Sequence, residues 1–130
     1  MANQKTLTAS NLRYLLTMQS LERKNAGARC VDIATAMGLS KPSVHNMMQT
    51  LIQLGLVKKN SYGAAFFTDM GRKTVQCYGR YYRSVSALLQ RSFPELEDVQ
   101  TAAYCLLSEI PPENLEALSS RYEIQLEERV

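Results

Sequence analysis

The feature that most constrains the fold is the segment 28–68, where two short amphipathic helical patterns precede a basic hairpin pattern. Apolar residues recur at helical spacing before Gly38 and again after Ser40, with a sharp break between the two runs. The second run, 41–54, presents mostly uncharged polar side chains on its other face. Such a helix suits the major groove of DNA, where amides and hydroxyls read base edges. Strand-like runs at 56–59 and 64–68 flank a turn-forming tetrad, which predicts a winged helix-turn-helix.

The rest of the chain is predicted to be helical, so the expected fold class is all-α with a small β-hairpin wing. The winged helix-turn-helix is expected to form a DNA-binding domain over residues 1–70, followed by a helical dimerisation region over residues 71–130. The helical patterns, bounded by cap and break signals, span about 8–24, 31–37, 41–54, 69–91, 96–108 and 113–127.

Charge is distributed unevenly along the chain. Twelve Lys and Arg residues stand against three acids through Arg83, a net charge of +9, whereas the chain from Ser84 onward has a net charge of −6. A cationic front half is what a phosphate-contacting module needs, because neutralised phosphates release counterions. The alternative is a chance asymmetry on solvated helix faces. The position of the helical pair inside the cationic half favours nucleic acid.

Candidate DNA contacts lie on the second motif helix and in the wing. Asn46 and Gln49 are expected to read base edges, and Ser43 to contact a base or a phosphate. The neighbouring polar positions His45 and Thr50 lie on the same face. The phosphate-contacting candidates are Lys41, Lys58 and Lys59. Double-stranded DNA is therefore the expected partner.

The helices after the wing carry more apolar surface than a wing can cover, which favours a homodimer. Two-fold symmetry would place paired recognition helices in half-sites roughly 34–36 Å apart. The alternative is that these helices complete a monomeric core. The candidate interface residues are Tyr78, Tyr82, Val85, Leu89, Val99, Ala103 and Tyr104.

Several segments resemble the iron- and manganese-dependent repressors of the diphtheria toxin repressor type. Residues 28–37 are similar to that family's first motif helix. Its recognition helix and the segment that follows are similar to Lys41-Pro42-Ser43-Val44 and Leu54-Gly55-Leu56-Val57. Phe67-Thr68-Asp69-Met70-Gly71 is similar to its wing exit, where Leu-Thr-x-x-Gly is usual. The resemblance covers nearly the full length and implies a winged-helix transcriptional regulator, most often a repressor. It also implies that Ser40, Pro42, Ser43 and Asn46 face the DNA.

That family senses divalent metal through acidic residues and histidines. Aligned without gaps, this chain has Arg13, Leu16, Tyr82, Gln100, Ala103 and Tyr104 at those ligand positions. None of these supplies the carboxylate or imidazole that such an ion prefers, so no metal and no other cofactor is expected. The family's metal space could instead hold an organic effector lined by Tyr78, Tyr81, Tyr82 and Tyr104, or the tyrosines could simply fill it.

Other soft ligands are dispersed. His45, Cys30, Cys77 and Cys105 fall on four different elements without CxxC or HxxxH spacing. Cys77 and Cys105 are expected on buried or half-buried helix faces. Three widely separated cysteines argue against a disulfide framework and favour a reducing cytoplasm.

Other functional classes receive little support. There is no nucleophile elbow and no phosphate-cradling glycine loop, so an enzyme is not expected. No apolar run approaches the roughly 20 residues of a membrane helix, so a cytoplasmic protein without a membrane partner is predicted. The alternatives that stay open are a metal- or small-molecule-responsive regulator of this fold, and a winged-helix protein-interaction module without DNA readout.

Overall fold

The structure is a computed structural model that describes residues 7–128, which form six helices and three short strands. The elements are α1 (Ala9–Leu21), β1 (Ala28–Arg29), α2 (Cys30–Met37), α3 (Lys41–Gln53), β2 (Val57–Lys59), β3 (Ala64–Phe67), α4 (Asp69–Ser92), α5 (Val99–Glu109) and α6 (Pro112–Glu128). A mostly helical chain with a small antiparallel sheet confirms the predicted fold class. The chain divides into two compact units, one of Arg13–Gln76 and one of Met1–Leu12 with Cys77–Val130.

The core of the 13–76 unit lies between α1, α2 and α3. Tyr14, Met18, Ile33, Met48 and Leu51 are all less than 2% exposed. The Tyr14 hydroxyl lies 3.9 Å from the Met48 sulfur, so the polar end of the ring also has a partner. Burial raises the pKa of Tyr14 well above that of an exposed phenol. This packing fixes the rotation of α3 about its own axis, because Met48 and Leu51 must face the core.

The sheet has one more strand than the sequence predicted. Its order is β1-β3-β2, and both pairings are antiparallel, with Ala28 opposite Ala65 and Val57 opposite Phe67. The hairpin of β2 and β3 confirms the predicted wing. The extra strand, β1, has only two residues, which is too short for an alternating pattern to reveal it.

Two predicted helix ends are wrong, and local hydrogen bonds explain both. α1 ends at Leu21 rather than near residue 24, because the Arg23 amide donates to the Gly27 carbonyl at 2.8 Å and turns the chain. α5 begins at Val99 rather than near residue 96. The Asp98 carboxylate accepts from the Thr101 amide at 3.1 Å, which makes Asp98 the N-cap. The expected helix stop at Gly38 is confirmed by its φ of 64°.

The exit of the wing comes very close to the exit of α3. The Thr68 amide donates to the Leu56 carbonyl oxygen at 3.1 Å. A Cβ atom on Gly71, in the first turn of α4, would overlap that same carbonyl oxygen. The glycine of the Thr-x-x-Gly pattern is therefore required by a close approach of two backbones.

The second unit packs the later part of α4 against α5 and α6. Val85, Ala103, Leu107 and Leu115 form the centre of its core, each at most 1% exposed. Two leucines of this unit stay outside the core, since Leu88 and Leu126 are 44% and 45% exposed. Within the described residues, no helix has both the length and the apolar character that crossing a bilayer requires.

An ion-pair cluster joins α4 to α6 in this unit. Arg80 Nη2 lies 2.8 Å from a Glu123 carboxylate oxygen, and Arg80 Nη1 lies 3.0 Å from Glu116. The Tyr81 hydroxyl donates to Glu116 at 3.0 Å. These bonds, those from Arg80 above all, lower the pKa of Glu116 below its ordinary value. Arg80 likewise lowers the pKa of Glu123.

The environment predicted for two cysteines is wrong. Cys77 and Cys105 are both exposed rather than buried or half-buried. They occupy helix positions next to core residues, but on the solvent side of α4 and α5.

Candidate nucleic-acid interface

The start of α3 is fixed by capping. Ser40 is the N-cap, and its hydroxyl oxygen accepts a hydrogen bond from the Ser43 amide at 3.2 Å. The same hydroxyl donates to the Ser43 hydroxyl at 2.9 Å. Pro42 lies in the first turn, where its missing N–H costs nothing because first-turn amides have no intrahelical partner. The N-terminal end of α3 is thus held firmly in place.

The buried side of α3 determines which side chains face water. Val44, Met48 and Leu51 are 2%, 0% and 0% exposed, at a spacing of three to four residues. The opposite side carries the predicted contacts Lys41, Pro42, Ser43, His45, Asn46, Gln49 and Thr50, all of which are exposed.

Three side chains on this face keep their full hydrogen-bonding capacity. His45, Asn46 and Gln49 are exposed and make no side-chain hydrogen bond within the described chain. Thr50 differs, because its hydroxyl donates to the Asn46 carbonyl of its own helix at 3.2 Å. Ser40 and Ser43 are similarly engaged with each other. The amides and the imidazole are therefore the groups of α3 best able to bond to an external partner.

The wing carries its lysines on an exposed strand. Lys58 and Lys59 of β2 are both exposed, whereas Val57 at the start of that strand is buried. At the tip, the Asn60 side-chain oxygen accepts from the amides of Tyr62 and Ala64, at 2.9 and 3.0 Å. One amide side chain thus closes the turn in the manner of an Asx-turn.

The structure adds residues that the sequence did not single out. Arg23, Arg29 and Tyr62 line a shallow cavity of about 420 Å³ beside the wing tip. Tyr62 is 91% exposed. Arg29 reaches the wing because β1 pairs with β3, a long-range pairing that no local pattern encodes. The available signal was the density of cations around residues 23–29.

The 13–76 unit is strongly basic. It contains nine Lys and Arg residues and three acids, a net charge of +6. One of the nine has a structural role, because Arg72 forms two hydrogen bonds with the Glu22 carboxylate, the longer at 2.8 Å. The Arg72 guanidinium also lies 4.8 Å from the centre of the Phe67 ring. Bonding to Glu22 raises the pKa of Arg72. This guanidinium therefore stays charged and is already paired with a carboxylate of the protein.

Most of the predicted interface residues are buried within the second unit. Val85, Leu89, Ala103 and Tyr104 are buried, while Tyr78, Tyr82 and Val99 are half-buried. The rings of Tyr82 and Tyr104 lie 4.9 Å apart between centroids.

The exposed apolar surface of this unit is found beside those residues. Leu88, Phe93 and Leu96 are 44%, 59% and 38% exposed. Phe93 and Leu96, with Leu89, Ala102, Cys105 and Leu106, line a mainly apolar groove of about 850 Å³.

The positions that the family resemblance assigns to metal ligands do not suit a divalent ion. Arg13 and Gln100 are exposed, Leu16 and Tyr82 are half-buried, and Ala103 and Tyr104 are buried. No carboxylate or imidazole is present among them. Across the described part of the chain, no group of three or more His, Cys, Asp or Glu side chains is placed to hold a metal ion.

Sequence comparisons show that the winged part is similar to a helix-turn-helix family and to a transcriptional regulator. Residues 12–61 match the family model described as the IclR helix-turn-helix domain. Transcriptional regulator MntR of Escherichia coli O6:H1 (strain CFT073) is 33% identical over 63 residues, which are 48% of this chain and 41% of that protein. MntR of Escherichia coli O157:H7 gives the same values. The match therefore spans less than half the length of these relatives.

Structural comparisons extend the similarity over most of the chain. The metal-dependent transcriptional regulator MtsR has a TM-score of 0.72 at 18% identity, and the manganese regulator SloR has 0.72 at 21%. Each comparison covers 87% of this chain and 53% of the other. The hypothetical protein SSo2273 from Sulfolobus solfataricus has a TM-score of 0.65 at 22% identity, with 89% of both chains covered.

Together these comparisons confirm the resemblance that the sequence indicated. The fold is that of winged helix-turn-helix proteins whose solved examples include metal-dependent regulators. The sequence match to MntR agrees with the structural similarity.

Proposed function

We propose that this protein is a sequence-specific DNA-binding transcriptional regulator that acts as a homodimeric repressor in the cytoplasm of a bacterium or archaeon. DNA binding is assigned to the winged part, residues 1–70, and dimerisation to residues 71–130. The observation that carries the proposal is the exposed polar face of α3, whose other side is fully buried. It is supported by the similarity to transcriptional regulators.

In this proposal the N-terminal half of α3 enters the major groove. Asn46 and Gln49 have unengaged amide groups, which pair well with the donor and acceptor edge of adenine. His45 lies beside them, and Ser43 contacts a base or a phosphate. Ser40, Pro42 and Thr50 shape and flank the contact rather than read bases, because both hydroxyls already bond within the motif.

Lysines on both sides of this helix hold the phosphates. Lys41 at the start of α3 and Lys58 and Lys59 in the wing are exposed cations suited to neutralising DNA backbone charge. Arg23 and Arg29 beside the wing tip are added to this set, since they are exposed and have no ion pair in the described chain. Phosphate contacts fix the register, and the amides of α3 supply the specificity.

The second copy of the chain is proposed to cover the apolar groove of the second unit. Phe93 and Leu96 expose large apolar area at its rim, which a soluble monomer rarely keeps uncovered. Leu89 lines the groove itself. The half-buried Tyr78, Tyr82 and Val99 are proposed to add to the interface, and the buried Val85, Ala103 and Tyr104 to support it. A two-fold dimer would also present two α3 helices to a palindromic site.

We further propose that DNA binding does not depend on a divalent metal. The residues at the family's ligand positions offer an arginine, a glutamine and apolar or aromatic groups, which bind such ions poorly. A metal- or small-molecule-responsive regulator is the competing function, and the response of DNA binding to added manganese separates metal dependence from metal independence.

The decisive experiment is selection of bound fragments from random double-stranded DNA, run with and without manganese. The proposal predicts an enriched palindromic motif of equal strength in both conditions. A motif that appears only with manganese, at micromolar ion, would replace it with a metal-dependent regulator. Absence of any enriched motif in both conditions would favour the protein-interaction module.

A further inference from the structure

A second cavity in the 77–130 unit has a very different lining from the apolar groove. It lies between α4 and α6, encloses about 220 Å³ and is lined by two arginines, Arg91 and Arg121. Tyr122 and Gln125 add polar groups, while Leu88 and Leu118 add apolar surface. We call this cavity the arginine cleft.

The two arginines of this cleft have no acidic partner among the side chains that the structure describes. Neither Arg91 nor Arg121 forms an ion pair or side-chain hydrogen bond within the described chain. Arg80, on the same helix as Arg91, bonds instead to two glutamates. Acids are abundant here, since the chain from Ser84 onward contains three arginines and nine acids. Two unpaired cations at one cavity are therefore not the result of a generally basic surface.

Chemistry and size together define the ligand. Guanidinium groups form paired, parallel hydrogen bonds to carboxylates, and two of them can hold both ends of one molecule. Leu88 and Leu118, which line the same cavity, offer apolar contact to a short carbon chain. The cavity has the volume of roughly seven water molecules, at about 30 Å³ each, which fits a small organic acid.

We propose that the arginine cleft binds a small organic dicarboxylate, with Arg91 and Arg121 each bonding one carboxylate. Tyr122 and Gln125 donate further hydrogen bonds, and Leu88 and Leu118 contact the carbon chain. This site is separate from the tyrosines 78, 81, 82 and 104 that could line an effector pocket. It requires neither DNA binding nor metal, so its success or failure is independent of the proposed function.

Isothermal titration calorimetry of the full chain tests the proposal, with the dicarboxylates succinate, glutarate and adipate as probes. We expect saturable binding of at least one dicarboxylate, and no binding of dimethyl succinate, which has the same carbon chain without charge. Arg91→Gln and Arg121→Gln should each weaken binding at least tenfold. Both arginines are exposed, so the variants should fold, and circular dichroism checks this.

The matched control is Arg83→Gln, an exposed arginine of α4 outside the cleft. It should bind the dicarboxylate as the wild type does. Three results would overturn the proposal: no saturable binding of any of these acids, equal weakening of binding in Arg83→Gln, or tighter binding of inorganic phosphate than of every dicarboxylate.

Discussion

The Thr68 hydroxyl donates a hydrogen bond of 2.6 Å to the backbone carbonyl of Gly55, thirteen residues earlier. The same hydroxyl oxygen accepts from the Gly71 amide at 3.0 Å. The Thr68 side chain therefore bonds to the residues that follow α3 and also caps the start of α4. Within the 13–76 unit, this bond helps hold α3 and the wing in place, which is why a threonine serves better here than a purely apolar residue.

Replacing Thr68 with alanine should destabilise the 13–76 unit by about 1–2 kcal/mol, because the variant lacks both an N-cap and a second hydrogen bond. Urea denaturation followed by circular dichroism measures the change. Thr68→Ser is the matched control, since it keeps the hydroxyl and should recover most of the stability. Equal destabilisation in the two variants would show that the methyl group, and not the hydroxyl, matters at this position.

Replacing Asn46 with alanine should relax sequence preference at one base pair by about 1–3 kcal/mol while leaving non-specific affinity nearly unchanged. The measurement is the ratio of dissociation constants for the selected site and a scrambled duplex. Gln53→Ala is the control, because Gln53 is an exposed amide at the far end of α3. An unchanged ratio in Asn46→Ala would remove this residue from base readout.

Changing Lys58 and Lys59 together to glutamine should weaken specific and scrambled duplexes alike. The slope of log affinity against log salt should become shallower by roughly two, because each lysine neutralises one phosphate. Fluorescence anisotropy over a salt series gives the slope. Lys73→Gln serves as the control, since Lys73 is an exposed lysine of α4 outside the wing. A slope that stays at the wild-type value would exclude the wing from DNA binding.

The cluster of Arg80 with Glu116 and Glu123 should make stability depend on acid pH. Both glutamates have a lowered pKa in the folded state, so below the ordinary value of about 4.3 the unfolded chain binds more protons. Their stabilising contribution is present above that pH and disappears as the pH falls through the folded-state pKa values.

Glu116→Gln should therefore flatten the decline in unfolding free energy between about pH 5 and pH 3. Urea denaturation across that range is the measurement. Glu109→Gln, an exposed glutamate at the end of α5 outside the cluster, should keep the wild-type decline. A wild-type decline in Glu116→Gln would show that the cluster does not govern acid stability.

Local patterns predicted the helix-turn-helix well. The break between the two helical runs at Gly38 and the separate apolar and polar faces of residues 41–54 are encoded within a few residues of one another. These signals are a glycine at a helix end, a capping residue at a helix start and apolar residues at helical spacing. All three can be seen directly in a sequence.

What the sequence could not reveal depends on distant contacts. Arg29 lies beside the wing only because β1 pairs with β3, and Arg72 is neutralised by Glu22, fifty positions away. The helix end near Leu21 was missed because a turn at residues 23–27 outweighs the apolar spacing. The cysteines were misplaced because a single helix position does not reveal which neighbour covers it.

In the turn at the wing tip, the residues that fix the backbone differ from those that expose their side chains. Asn60 closes it with its side-chain oxygen, and Gly63, at a φ of 81°, presents its carbonyl to the Cys30 amide at 3.1 Å. The side chains of Ser61 and Tyr62 are exposed, and Tyr62 contributes only its backbone amide to the turn. Over evolutionary time, Ser61 and Tyr62 can thus change to suit a new target while Asn60 and Gly63 keep the turn intact.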